Sequence, residues 1–424
     1  MKKNCILGCE SVKYLRMGVL TIFGINYLKE NFSHEQRYLI VAIFALFLPF
    51  YMTAAIHALL FFRLIYTGEI KQAYKEIKGS RYILIFSALS LLVSAFYKNW
   101  MGVGMTLGIF MLFSLTLYYR RHVTEALFHF LVNCIIYMSV ACAIYALVEY
   151  VGILNKFDLD ELEIIVFNSP KYRINSVFFN ANYYAMMINF FVGLAFYKIL
   201  KILKTKEIRM NFRRLAELVV IILLNLFTLY LTGCRTAWPA LMLGIAMMLL
   251  INKNYKTCGL IGVGMAGIIG FFAMYPKYIP RVTNIVKYLG VRMGIWKTAI
   301  ANIKTHPLFG EGPFTYWLIY PKYHSHPTQH SHNIFIDPLL CFGVVGIASI
   351  IPFFAANIER LHALHKLHRN DTLVGLILGY IVMTVIHGML DYTIFFVQTG
   401  FLFFFVISSF DIYKDEIDRA LDKA

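Results

Sequence analysis

The sequence predicts an all-α fold, a polytopic membrane bundle of about twelve transmembrane helices. Three observations carry that prediction. The 424 residues are 59% hydrophobic and only 15% charged, more apolar surface than a water-soluble chain of this length can hide. Apolar stretches of close to twenty residues recur along the chain, each long enough to cross a bilayer. Lysines and arginines fall in short clusters between those stretches rather than along one continuous face.

The candidate spans run at about 12–28, 37–62, 82–97, 100–118, 125–150, 181–200, 215–232, 237–252, 257–275, 331–357, 372–390 and 393–412. Together they make one membrane domain over 1–424. The second contains Pro49, which removes a backbone donor and can break it. Basic clusters occur at "MKKN", at 63–81, at "YYRRH" (118–122), at 198–214, at "NKNYK" (252–256), at "ERLHALHKLHR" (359–369) and in the tail. Twelve crossings put all of them on one side, which the positive-inside rule makes the cytoplasm, with both termini there. The net charge of +17 is then a topology signal. It points to membrane lipids as partners and excludes nucleic acid. The seven cysteines are scattered, with no zinc-site spacing and no disulfide framework. "ILGC" (6–9) lacks a preceding apolar run, so no cleaved signal peptide is expected.

The other face collects a loop at 151–180 and a longer one at 276–330. Within the longer loop, "VKYLGVRMGIWKTAIANI" (286–303) spaces Val286, Leu289, Met293, Trp296, Ile300 and Ile303 at three- and four-residue steps. That spacing predicts an amphipathic helix, and Trp296 and Tyr288 suit one lying at the bilayer surface. The Pro and Gly residues of "HPLFGEGPF" (306–314) end it.

Two motifs are set aside. "GLIGVGMAGIIG" (259–270) contains a G-x-G-x-x-G at Gly262, Gly264 and Gly267. It lies inside an apolar span, so the expectation is small residues letting helices approach, not a dinucleotide site. "DLDEL" (158–162) reads as an acidic solvated loop.

Others point to chemistry. Arg235, in "TGCRTAWPAL" (232–241), sits in a hairpin between two spans, where a charge is costly unless it snorkels, pairs or faces a wet cavity. Arg173 and Arg292 also lie away from the cytoplasmic clusters. Guanidinium forks match phosphate oxygens, so the three converging would hold a diphosphate; separately, Arg173 and Arg292 are solvated loop charges. His387 and Asp391 in "VIHGMLDYT" (385–393) share a helix face at i, i+4, and Asp391 is either an acid that orients an arginine or a histidine or a helix-end charge in contact with water. "HSHPTQHSHN" (324–333) crowds four histidines before the tenth span. No cysteine or carboxylate neighbours them, and His330 and His332 at i, i+2 do not share a helix face. One working histidine, His332, acting as a general base with His330 assisting, is expected over a metal site.

These segments form a set. His332-Asn333 followed, after nine residues, by Gly343-Val344-Val345-Gly346 resembles the histidine motif of the O-antigen ligase and polymerase superfamily. "GCRTAWPAL" is similar to its Ser/Cys-Arg-Thr segment, and "RMGIWKTAIANIKTHPLFGEGPF" to its Arg…Trp…His-Pro-Leu-x-Gly-x-Gly loop. "NSVFFNANYYAMM" resembles its Phe-x-Asn-Pro-Asn segment and "IHGMLD" its late His…Asp; the resemblance covers about 170–395. Ala181 stands where Pro is usual, Glu311 where an apolar residue is usual, and Ile347 where a small or polar residue is frequent.

The resemblance implies a C-type glycosyltransferase-like bundle in a bacterial cytoplasmic membrane, its site facing outward. It implies a donor glycan on polyprenyl diphosphate and an acceptor sugar hydroxyl, on lipid A-core in ligases or on a lipid-linked repeat in polymerases. Transfer is inverting, without metal or other cofactor. His332 would be catalytic, Arg235, Arg292 and Arg173 would bind the diphosphate, and Asp391, His387, His330 and Asn333 would support them. A transporter of lipid-linked glycan is the reading of another class. It wants matched repeats and mid-membrane ionisable residues, and only His57 and His387 qualify.

Overall fold

A computed structural model describes residues 25–157, 164–167, 169–205, 211–281 and 285–423. Among these the fold is all-helical, without strands. The helices are α1 (Ile25–Asn31), α2 (His34–Ala45), α3 (Phe50–Tyr66), α4 (Glu69–Glu76), α5 (Arg81–Phe96), α6 (Trp100–His122), α7 (Glu125–Lys156), α8 (Ala181–Lys204) and α9 (Phe212–Leu231). They continue with α10 (Ala237–Ile251), α11 (Tyr255–Met274), α12 (Ile285–Thr305), α13 (Thr315–Ile319), α14 (Ile336–Lys366), α15 (Asp371–Gly388), α16 (Val397–Ile407) and α17 (Lys414–Leu421). Side-chain caps start several: Ser33 for α2, Asn99 for α6, Thr124 for α7, Asn180 for α8 and Asn370 for α15 each accept a first-turn backbone N–H.

Seven helices among the described residues are long and apolar enough to cross a membrane: α6, α7, α8, α9, α11, α14 and α15. An eighth crossing is available if α3 and α4, bent by 80° at Gly68, form one broken span. α5 and α10 are apolar but only 16 and 15 residues long. The departures from twelve regular spans have local causes. Pro49 splits the 37–62 stretch into α2 and α3, as its missing N–H allows. The 393–412 stretch is an 11-residue helix between two short 3₁₀ turns. Of the first span only 25–28 lies within the described residues, and "DLDEL" falls outside them.

α8 is the most enclosed span, with 83% of its apolar window buried among α7, α9, α10, α15 and α16. α10 and α15 form the closest helix pair. Their crossing depends on glycine. A Cβ on Gly244 would lie 2.9 Å from the Gly379 carbonyl, one on Gly379 3.0 Å from the Gly244 carbonyl, and one on Gly375 3.1 Å from the Met248 carbonyl.

The glycines of 259–270 do not play this part, contrary to the expectation for them. A Cβ on Gly262, Gly264 or Gly267 would meet nothing within 4 Å, and no residue of α11 is buried. Among the described residues no helix faces the glycines of α11. Gly379→Leu is therefore expected to lower the thermal midpoint in detergent by the equivalent of about 1–3 kcal/mol. Gly264→Ala should leave it unchanged or raise it by up to about 1 kcal/mol from helix propensity. Equal melts would contradict this assignment.

A helix, α12, does cover 286–303, but its facing differs from the expected one. Val286, Leu289, Met293 and Ile300 point outward, while Ile295 and Ala299 on the other side pack with Tyr316, Ile319 and Leu340. An outward apolar stripe suits a helix bathed by lipid at the interface.

α14 is broken at Gly343, whose φ of 60° and ψ of −175° lie outside any helix. The 307–312 loop docks into the break through backbone bonds: Val344 N–H to Pro307 O (2.9 Å), Val345 N–H to Leu308 O (2.8 Å) and Gly312 N–H to Cys341 O (2.8 Å). The "HPLFGEGPF" glycines and Gly343 are thus two halves of one contact.

Candidate functional site

The site gathers at one end of the bundle, where α8 and α14 begin and α15 ends. The basic last turns of α6, α8 and α14 lie at the far ends of those helices.

His332 is fixed by its neighbours before any substrate arrives. Asn333 accepts the Phe335 and Ile336 N–H groups, capping α14, and donates to Met389 O at 2.9 Å. Ile334 N–H bonds Gly388 O at 2.7 Å. Trp296 Nε1–H on α12 bonds Ser331 O at 3.1 Å, and Asp337 accepts Ser331 N–H at 2.6 Å. Held from both sides, His332 takes a left-handed φ of 53°, a conformation that costs free energy in a non-glycine residue and clusters at functional sites.

Asp391 organises the centre. It lies just beyond the C-terminus of α15, is 3% exposed, and faces His332 Nδ1 across 2.8 Å. Asn182, in the first turn of α8, donates to its other oxygen and accepts from Arg173 at 2.8 Å. Burial alone would raise the Asp391 carboxyl. The His332 hydrogen bond and the Arg292 charge outweigh burial and hold it well below the usual carboxylate range. An ionised Asp391 accepts, so His332 Nδ1 carries the proton and Nε2 is the free acceptor. Nε2 faces the Thr328 hydroxyl at 3.0 Å.

His330 is buried against Tyr392 and Phe395, and its Nδ1 accepts His332 N–H at 3.2 Å. Burial brings it down to about 3, so it is neutral. His324 and His326 are exposed and lie outside this cluster.

The arginines flank Asp391. Arg173 is 8% exposed; its Nε–H donates to Thr232 O at 2.5 Å. Burial lowers it to about 10, leaving it charged at neutral pH. Its loop is held by Glu149, which accepts Asn175 and Ser176 N–H at 2.9 Å each. Arg292 donates to Leu390 O, and Arg235 to Arg281 O at 2.8 Å. Gly233 (φ 61°) makes the turn between α9 and α10 tight: a Cβ there would lie 3.1 Å from Arg281 Cδ and 3.6 Å from Arg173 Nε. Arg173, Arg235 and Arg281 therefore meet at this turn, and Arg281 Nε is buried without an acceptor.

His387 is fully buried and turns away from His332 toward Cys234 (3.5 Å from Nε2) and Thr393 (3.4 Å from Nδ1). Burial would raise the Cys234 thiol, but His387 and Arg173 bring it down to about 7. The Asp391 side chain goes to His332 instead, while its N–H still bonds His387 O at 3.0 Å.

Arg281, Asn182, Thr328 and Cys234 were not singled out from sequence. Arg281 carried the same signal as Arg173, Arg235 and Arg292, a positive charge away from the basic clusters. Asn182 and Cys234 stood inside the Phe-x-Asn-Pro-Asn-like and Cys-Arg-Thr segments without being picked out, and Thr328 carried no signal. Two of the departures are accommodated. Ala181 opens α8 under the Asn180 cap without proline, and Glu311 accepts Asn302 Nδ2–H at 2.9 Å.

An apolar cavity of about 910 Å³ lies beside the site, between α3, α6, α14, α15 and α16. Tyr183, Ile334, Tyr392, Phe395 and Phe396 form the wall nearest His330.

Residues 218–351 match the family model described as O-antigen ligase. The match spans α9 to the first half of α14. An uncharacterized protein of Haemophilus influenzae is 24% identical over 209 residues, covering 43% of this chain and 51% of that protein. The chain thus spans about half the length of that relative.

Proposed function

We propose that this chain, as a member of the O-antigen ligase superfamily, transfers a glycan from polyprenyl diphosphate to an acceptor sugar hydroxyl on lipid A-core or another surface glycan. The observation that carries the reading is the continuous line Arg173–Asn182–Asp391–His332–Thr328, which joins a cationic turn to a histidine whose free nitrogen already faces a hydroxyl.

The chemistry balances on these residues. The acceptor hydroxyl takes the place of the Thr328 hydroxyl at His332 Nε2 and gives up its proton there. Its oxygen bonds the anomeric carbon from the face opposite the leaving group, inverting it. The bond from that carbon to the diphosphate oxygen breaks, and the electron pair leaves with polyprenyl diphosphate. Asp391 keeps Nε2 as the acceptor nitrogen and stabilises the imidazolium that forms. Arg235, Arg292 and Arg173, joined by Arg281, hold the growing negative charge, so the reaction needs no metal. The 910 Å³ apolar cavity suits a lipid chain. The basic helix ends, opposite the site, belong to the cytoplasm under the positive-inside rule.

Purified protein in detergent, supplied with polyprenyl-diphosphate-linked glycan, acceptor and EDTA, is expected to form the new glycosidic bond. Glycan on a separate acceptor identifies a ligase. Lengthening of the lipid-linked glycan identifies a repeat-unit polymerase, which shares the donor. Movement of lipid-linked glycan across vesicles with no covalent product would replace the reading with a transporter.

A further inference from the structure

We propose that His330, His332 and Asp391 also form an inhibitory site for a divalent cation of the zinc class. One ring nitrogen of each histidine and one Asp391 oxygen lie within 4.8 Å of one another. Two imidazoles and a carboxylate are a donor set that zinc takes, leaving one position for water. His332 Nδ1 and Asp391 Oδ1 are 2.8 Å apart. Neighbouring ligands on a tetrahedral zinc with bonds of about 2.0–2.1 Å stand roughly 3.3 Å from each other. A metal ion can replace the proton between these two atoms after an opening of a few tenths of an ångström. His330 has the wider gap to close; its Nδ1 is held by the His332 N–H, and its Nε2 has only a loose contact, 3.5 Å, with the Tyr183 hydroxyl.

The surroundings are those of a supported site. Asn182 holds the second Asp391 oxygen, which fixes the carboxylate, and outer partners of this kind strengthen metal affinity. The His332 side chain is 24% exposed, which gives the ion a way in. His324 and His326 stand outside the group, so the histidine-rich loop contributes two ligands and not four.

Inhibition follows from the tautomer. Metal on Nδ1 leaves the remaining ring proton on Nε2, and the nitrogen that faces Thr328 becomes a donor that cannot accept the acceptor's proton. The inhibition rests on His332 being the base; the binding does not.

The test is direct titration of the EDTA-stripped, detergent-purified full chain with zinc chloride against a chromophoric zinc indicator. One zinc per chain is expected. Affinity should fall by at least about tenfold in His330→Gln and in Asp391→Asn, the least that loss of even an outer-shell partner costs. It should be unchanged in a His324→Gln/His326→Gln double variant, with thermal melts confirming that each variant folds. Wild-type transfer should fall as this site fills and return on adding EDTA. No stoichiometric zinc, or zinc lost in the loop double variant and kept in His330→Gln, overturns the site. Zinc bound with transfer undiminished overturns the inhibition. Zinc binding that depends on His330, together with full transfer by zinc-free His332→Ala, upholds the binding site while sinking the base.

Discussion

His332→Ala is expected to lower glycan transfer by about 10²–10⁴-fold, the range that a positioned general base contributes. The loss should appear in the rate at saturating donor, because no diphosphate contact is removed. Position 332 has a left-handed φ of 53°, so a fold defect has to be separated from a chemical one. His332→Asn does this: asparagine tolerates that conformation and keeps a polar side chain, yet has no basic nitrogen. Both variants should be equally inactive, with melts within a few degrees of wild type. Asp391→Asn should be almost as damaging through a different route. Its amide can donate to Nδ1, which moves the ring proton to Nε2 and removes the acceptor. Combining Asp391→Asn with His332→Ala should then cost little more than either change alone, since both disable one unit. Wild-type transfer by a folded His332→Asn would remove histidine from the mechanism.

Gly343→Ala is expected to be the most destabilising single-methyl change in the chain. The φ of 60° and ψ of −175° fall in a region that only glycine occupies freely, which costs an alanine about 1–3 kcal/mol. A Cβ would also lie 2.4 Å from the Leu308 carbonyl carbon and oxygen, both backbone atoms that cannot swing aside. The two effects together put the loss above about 3 kcal/mol, in the class of severe mutations. Expressed protein should aggregate in detergent or melt far below wild type. Gly104→Ala in α6 is the comparison, since a Cβ there meets nothing within 4 Å. A Gly343→Ala protein melting with the Gly104→Ala one would show that the break in α14 is not required.

Much of this was legible in the sequence, and what was not has physical reasons. Charge and apolar runs announced a helical membrane protein, and the amphipathic helix was placed within two residues of its observed limits. The irregular parts were harder. Pro49 gave a visible warning of its break, whereas the short helices of 393–412 are as apolar as a regular span. His332, Asp391, Arg173, Arg235, Arg292 and Asn333 were named by type and position, and the structure brings them into one neighbourhood. Which atom meets which was not readable. Asp391 meets His332 over 59 positions, and its link to Arg173 runs through Asn182, an amide with no charge to draw notice. The glycines of 259–270 misled because a small residue matters only where something faces it, and facing is a tertiary property.

The docking of the 307–312 loop into α14 has a meaning for chimeras. The three bonds that close it run between main-chain atoms, so apart from the glycines at 310, 312 and 343 the seam checks spacing rather than side-chain identity. Leu308, Phe309, Val344 and Val345 are all partly exposed and free to vary, but one inserted residue on either side of the seam would put every bond out of step. A crossover between two relatives placed anywhere from 313 to 340 would take the two sides from different parents and still succeed, provided that neither side changes length.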